Sequence, residues 1–155
     1  MLNRKIPKEN KVYLDVCTLC RPFDDQRLMR IRLETDAYYL IIKAVQNGEL
    51  RMIVSPVHIE EIRSIADHQE RSELLALLEK FGTMAECDSS KTRGRAEYFC
   101  SRGFGITDAA HVAFAEECSD FFISCDDRLI RKCRRLNLGI AAVNPVEFCV
   151  RENLR

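Results

Sequence analysis

Four carboxylates carry the clearest chemical signal in this chain: Asp15 in KVYLDV, Glu61 in VHIEEI, Asp108 in GITDAAHV and Asp126 in FFISCDD. Acids that meet at one place repel, and they do not all stay ionised unaided. A divalent cation removes that conflict, and hard oxygen donors select Mg2+ or Mn2+, which keep several of their waters. A cation held by Asp15, Asp108 and Asp126 would lower the pKa of a bound water and orient it for in-line attack on phosphorus. Glu61 would ligate through water or orient the nucleophile. No Ser/His/Asp or Cys/His set at usable spacing competes with this scheme. Each acid also has an ordinary explanation on its own. An Asp after a strand forms a turn or caps a helix, and Asp108 and Asp126 suit the positive end of a helix dipole. Adjacent helical residues point about 100° apart, so Glu60 is an alternative to Glu61 and not its companion. Asp127 competes with Asp126 in the same way.

The elements that must position these acids alternate between strand and helix. Lys11–Val16 is a short β-rich run, and RPFDD after it is loop-like. Leu28–Gln46 has helical apolar spacing and stops at Asn47-Gly48. Leu50–Val54 is a second strand. Ser55 then reads as an N-cap, with Pro56 at the first helical position. A further helix covers Arg71–Phe81 and ends at Gly82. Thr92–Arg102 is helical in pattern and stops at Gly103, and Thr107 is the expected cap of the helix DAAHVAFAEEC. Asp120–Ser124 (DFFIS) is an apolar strand of central type, and Asp126–Leu136 a basic helix. Gly139–Val143 is a last strand, closed by Asn144-Pro145. This alternation predicts an α/β fold with a mainly parallel sheet and helices on both faces. Ligands of such sheets bind outside the carboxyl ends of the strands, at a topological switch point. Asp15 and Asp126 both stand at strand ends.

The chain has 155 residues, which predicts a single domain over 1–155, with 1–10 a flexible tail. It is 46% hydrophobic and 31% charged, so disorder is excluded as the main state. Lys plus Arg and Asp plus Glu both total 24, so the overall charge gives no attraction to nucleic acid and only a local patch can supply one. No apolar run approaches the length of a membrane span, and no signal core follows the basic start, so a cytoplasmic location is expected.

The segments LDVCTLCRPFDD, IVSPVHIEEI, GITDAAHVAFAEE and FFISCDDRLIRK resemble PIN-domain proteins in order and context, from Lys11 to about Phe148. Small bacterial PIN proteins with an RPFDD loop look most similar. The resemblance implies a three-layer α/β/α sandwich and a Mg2+- or Mn2+-dependent ribonuclease, with VapC-type toxins of toxin–antitoxin pairs among its relatives. Carried over by motif, the four family acids fall on Asp15, Glu61, Asp108 and Asp126. The expected partners are RNA, a small antitoxin protein and a second copy of the chain. The rival implication is a PIN-like nucleic-acid-binding or regulatory protein without turnover. Three departures stand out: Cys17 stands where many PIN proteins carry a small polar residue, Cys20 where the similar bacterial proteins tend to carry Asn before RPFDD, and Ser124 where Thr is more usual.

The eight cysteines are scattered and read mostly as core filler. Cys17 and Cys20 form a C-x-x-C, but no second pair completes a zinc site, and Asp15 beside them disfavours a thiolate. His111, three residues after Asp108, reads first as a structural or supporting histidine and not as a general base, with a hydrogen bond to the site or a phosphate contact as the functional alternatives, while His58 and His68 carry no constellation. Arg128, Arg131, Lys132, Arg134 and Arg135 crowd behind Asp126. A helical charge run is usually a solvated face, but this one begins beside the acids, so phosphate guidance by these residues and by Arg21 is the functional expectation. Arg30 and Glu34 are spaced as an i,i+4 pair.

Overall fold

A computed structural model describes residues 10–155. Its strands are β1 (Asn10–Leu14), β2 (Leu50–Val54), β3 (Gly82–Met84), β4 (Phe121–Ile123) and β5 (Ala141–Val143). The helices are α1 (Val16–Leu19), α2 (Met29–Gln46), α3 (Pro56–Arg63), α4 (His68–Phe81), α5 (Ser89–Ser101), α6 (Ile106–Cys118), α7 (Asp127–Arg135) and α8 (Pro145–Arg151). A 3-10 turn at Arg21–Phe23 follows α1. The strands form one parallel sheet in the order β3-β2-β1-β4-β5.

Alternation along each strand sends neighbouring side chains to opposite faces. Val12 and Leu14 of β1 join Met52, Val54 and Ile123 in one core, closed by α2, α4 and α8 through Ile41, Leu78 and Phe148. Tyr13 joins Ile53, Phe122 and Ala142 in a second core, closed by α5, α6 and α7 through Phe99, Val112 and Ile130. One sheet with a core on each face is the three-layer α/β/α sandwich expected from the sequence. Burial on both faces also explains why the central strand FFI is apolar without alternation.

From β1 the chain moves through β2 to β3 at one edge, then returns to place β4 and β5 on the other side of β1. Right-handed crossovers in opposite directions must put their helices on opposite faces. The helices follow that rule, with α2 and α4 on one face and α5, α6 and α7 on the other. The order therefore reverses between β1 and β4, and the crevice at their carboxyl ends is the expected binding place.

Several boundaries differ from the sequence reading. β1 stops at Leu14 because Asp15 caps α1, accepting from Val16 N–H at 2.8 Å. The start of α6 is capped by Gly105 and not by Thr107, which lies inside its first turn. Asp126 is the cap of α7 and not its first residue. α4 begins earlier, at His68, behind the cap Asp67. Three elements, α1, β3 and α8, have no counterpart in that reading. β3 follows α4 without a loop, and α8 opens at Pro145 behind the cap Asn144. Gly82 is required at the first junction: a Cβ there would lie 2.3 Å from Val54 Cγ2 and 2.5 Å from the Leu78 carbonyl oxygen. The expected tail lies outside the described residues except for Asn10, which opens β1 opposite Leu50. Among the described residues, no helix is long and apolar enough to cross a membrane.

Candidate active site

The end of β1 delivers Asp15 to the switch point. Its backbone N–H still bonds Ile123 O of β4 at 2.9 Å, so its position is fixed by the sheet. The carboxylate is almost fully buried at 5% exposure. Oδ1 accepts from Val16 N–H, and Oδ2 accepts from the Ser124 hydroxyl at 2.9 Å and the Cys17 thiol at 3.4 Å. Burial raises the Asp15 pKa and the Glu61 charge adds to it, while His111, Ser124 and Cys17 pull it back. Ser124 also accepts from Asp126 N–H at 3.1 Å, so one buried hydroxyl ties the ends of β1 and β4 together.

Asp126 stands exposed at the end of β4. Its Oδ1 caps α7 by accepting from the N–H groups of Arg128 and Leu129 at 3.0 and 3.1 Å. Asp127, its competitor, is turned away: Arg30 clamps its carboxylate with two bonds of 2.8 and 2.9 Å, which holds its pKa below the usual range. Asp108 lies half-buried in the first turn of α6. Its pKa is raised first by burial, then by the charges of Asp15 and Asp126, with Glu61 adding and His111 opposing. The charges of the other three acids are thus felt at Asp108.

Glu61 and Glu60 separate as their helical spacing requires. Glu60 is exposed, whereas Glu61 turns inward to meet His111 Nε2 at 2.5 Å. Donor atoms of Asp15, Glu61 and His111 lie within 4.8 Å of one another. His111 was expected to be structural, and its ring is indeed fully buried. Its other nitrogen faces Tyr13 Oη at 2.6 Å, and Tyr13 Oη faces Ser55 Oγ at 2.7 Å. His58, which carried no constellation in the sequence, is equally buried: Nδ1 accepts from Ser55 N–H at 3.0 Å and Nε2 donates to Leu14 O at 2.7 Å. Tyr13, Ser55 and His58 are the site residues that the sequence reading missed. Its available signal was a polar residue on each of three elements otherwise read as core or cap.

The C-x-x-C does not form a pair. Cys17 donates to Asp15 and neighbours Ser124, while Cys20 lies against the core on the α2 face. Contact with Cys125, burial and the Asp15 charge push the Cys17 thiol far up, and burial pushes Cys20 up to about 12. Both therefore stay protonated, which removes the nucleophile a redox motif needs. Cys17 supplies Asp15 with the weak donor that a hydroxyl would otherwise provide.

The expected phosphate contacts divide into two groups. Arg21 is committed to Asp24 at 2.8 Å and lies 3.3 Å from Glu34, while Arg134 holds Glu147 and the Ala142 carbonyl. Lys132 donates to Gly103 O at 2.8 Å and sits over the Phe104 ring, bracing the loop that leads to Asp108. Arg128 lines the surface hollow that also contains Arg21 and Asp126. Arg131 is exposed and near enough to lower the Asp127 pKa. Arg135 is exposed on the same helix. Arg30 bridges Glu34 and Asp127, so the expected i,i+4 pair is part of a larger clamp between α2 and α7.

No family model matches the chain, and no curated protein matches it in sequence. Among solved structures, the crystal structure of FitAcB from Neisseria gonorrhoeae is similar, with a TM-score of 0.55 at 13% identity over 86% of this chain and 97% of that one. At such identity the likeness is one of fold, and it supports the PIN-like α/β/α arrangement that the sequence resemblance implies.

Proposed function

We propose that the protein is a Mg2+- or Mn2+-dependent endoribonuclease, and that it acts as the toxin of a toxin–antitoxin pair. The observation that carries the first part is a crowding of acids: donor atoms of Asp15, Glu61 and His111 lie within 4.8 Å of one another, and Asp108 is driven toward its neutral form by burial first and then by the charges of Asp15, Asp126 and Glu61. A carboxylate cluster under that repulsion, built from hard oxygen donors, fits a divalent cation. Asp15, Asp108 and Asp126 would hold it, and the bound ion would supply an activated water and offset charge on the leaving oxygen. The chain's own residues do the rest. Val16, Ser124 and Cys17 keep the Asp15 carboxylate in one orientation. The cap of α7 uses Oδ1 of Asp126 and leaves Oδ2 outside it. Arg128 and Arg131, ahead of the more committed Arg134, would hold RNA phosphates beside the acids.

The toxin role rests on the sequence resemblance. An antitoxin, or a second copy in a homodimer, would find apolar surface where Met29 and Leu33 of α2 meet Val146 and Val150 of α8. The test is cleavage of a mixed RNA pool by the purified chain in Mg2+, Mn2+ and EDTA, with binding measured alongside. Metal-dependent cleavage that disappears in Asp126→Asn while RNA still binds supports the reading. RNA binding without cleavage in either metal would replace it with the non-catalytic rival.

A further inference from the structure

We propose that His111, oriented by Tyr13, is a positioning residue that holds the Glu61 carboxylate in its working place beside Asp15; this rests on the metal-dependent cleavage reading above. The argument starts in the middle of β1. Tyr13 is fully buried, and a buried phenol needs a hydrogen-bond partner. It has two, one on each side: Ser55 Oγ at 2.7 Å from the start of α3, and His111 Nδ1 at 2.6 Å from α6. Three elements that surround the switch point thus meet at one hydroxyl.

The proton order along this chain follows from what each end can do. A backbone N–H only donates and a carbonyl only accepts. His58 therefore takes the Ser55 N–H at Nδ1 and gives its own Nε2–H to Leu14 O. Burial pushes its pKa down to about 3, so it stays neutral and its tautomer is fixed. At the far end, the Glu61 carboxylate can only accept, so His111 Nε2 carries the hydrogen that it meets at 2.5 Å. With the ring neutral, Nδ1 accepts from Tyr13, whose hydroxyl burial keeps protonated, and Tyr13 accepts from Ser55; with the ring charged, Nδ1 donates to Tyr13 and Tyr13 to Ser55, and Nε2 donates to Glu61 in both forms. In the neutral form every donor has a taker in the sequence Ser55 to Tyr13 to His111 to Glu61.

The consequence is mechanical. Glu61 is partly exposed on α3, and a free Glu side chain would sample several rotamers. A fully buried ring cannot move with it, so the N–H at its tip selects one. A Glu61 carboxylate oxygen lies within 4.8 Å of an Asp15 oxygen. One turn earlier on the same helix, His58 pins α3 to Leu14, the residue before Asp15. Two histidines therefore set the distance between Glu61 and Asp15 from both turns of α3.

The test uses the full chain with Mn2+ and RNA, and compares His111→Ala, His111→Gln and Tyr13→Phe with the wild type. The readouts are kcat and KM for cleavage, Mn2+ affinity by calorimetry without RNA, and circular dichroism. Partners that orient a metal-site carboxylate are worth about 10–100-fold in affinity or activity. His111→Ala should therefore lower kcat and weaken Mn2+ binding in that range, with KM nearly unchanged. His111→Gln keeps an N–H near the Nε2 position and should recover much of the loss. Tyr13→Phe, the mildest change to the core, should fall between wild type and His111→Ala. Unchanged kcat and Mn2+ affinity in folded Tyr13→Phe and His111→Gln, together with Gln no better than Ala, would overturn the proposal. Electron spin-echo detection of imidazole nitrogen bound to Mn2+ in the wild type would overturn it too, since His111 would then be a ligand. Wild type that neither binds Mn2+ nor cuts RNA sinks the cleavage reading and this inference with it; wild-type cleavage untouched by the His111 variants sinks this inference alone.

Discussion

Ser124→Ala removes one oxygen from a fully buried site and tests whether that hydroxyl ties the ends of β1 and β4 together. It donates to Asp15 Oδ2 at 2.9 Å and accepts from Asp126 N–H at 3.1 Å. A hydrogen bond to a charged group contributes about 1.5–3 kcal/mol net and one to a neutral amide about 0.5–1.5 kcal/mol. Asp15 keeps Val16 N–H and the Cys17 thiol, so the lower half of the combined range applies, about 2–3 kcal/mol. For a chain of this length that is a fall in Tm of about 5–10 °C. The loss should also depend on pH. The folded pKa of Asp15 is raised, so the fold binds more protons than the unfolded chain just above the ordinary carboxylate value, and stability falls as pH rises through the folded pKa. Ser124 opposes that rise, so Ser124→Ala moves the folded pKa higher still. The gap between wild type and variant is then full above the variant's folded pKa and narrows as pH falls through it. Urea unfolding at pH 7.5 and pH 4.5 measures both values. A gap below about 0.5 kcal/mol at pH 7.5, the size of an ordinary surface change, would refute the reasoning, as would a gap that widens on acidification.

Asp108→Asn should raise the Tm of the metal-free protein, because it removes a charge that burial and three neighbouring acids disfavour, and it should shrink the rise that millimolar Mn2+ gives the wild type; thermal melts with and without Mn2+ read both signs, and a lower metal-free Tm contradicts the proposed repulsion. Arg128→Ala with Arg131→Ala should flatten the salt dependence of RNA binding by about 0.7 in slope per lost contact, while Arg134→Ala, already spent on Glu147, should leave the slope nearly unchanged; titrations at several salt concentrations separate the two, and an equal effect of both would reverse the assignment. Cys17→Ser with Cys20→Ser should keep metal-dependent cleavage, since a serine hydroxyl can replace the Cys17 donor to Asp15; loss of cleavage in the folded double variant would revive a thiol role. Gly82→Ala should destabilise by about 1–3 kcal/mol as an overpacked junction, with the clash against Val54 and the Leu78 carbonyl as its cause; denaturant unfolding checks it.

The sheet was legible where a strand is long enough, or apolar enough, to signal itself. Leu50–Val54 matches its expected bounds, and FFI could only be a strand buried on both faces. β3 left no such signal, because three residues at the sheet edge, Gly-Thr-Met, carry little β-preference and start where a helix has just ended. Its strand identity comes from pairing with β2, Met52 opposite Gly82, which is a tertiary fact. α8 is a different case. Asn144 caps it by accepting from Glu147 N–H at 2.8 Å, with Pro145 in the first turn. That is the same signature as Ser55-Pro56, read as a helix start at one place and as a stop at the other. The physical rule favours the start, since proline lacks only an N–H that the first turn leaves unpaired anyway.

The site divides along the same line. Asp15 and Asp126 were legible because a strand end is a position, and the reversal of strand order between β1 and β4 makes that position a crevice. The different settings of Glu61 and Glu60, and of Asp126 and Asp127, were not, since each rests on a partner far away in sequence: His111 for one and Arg30 for the other. Tyr13 shows the reason most sharply. In the sequence it is one more β-former in KVYL, and alternation alone sends it to the face opposite Val12 and Leu14. Its hydroxyl gains meaning only when the start of α3 and the buried side of α6 bring Ser55 and His111 to it. Apolar spacing reports which way a side chain points, but a hydrogen bond joins particular atoms on elements whose approach the spacing does not encode. The acids that would meet a cation are thus written locally, while the groups that aim them are written in the packing of three elements around one strand.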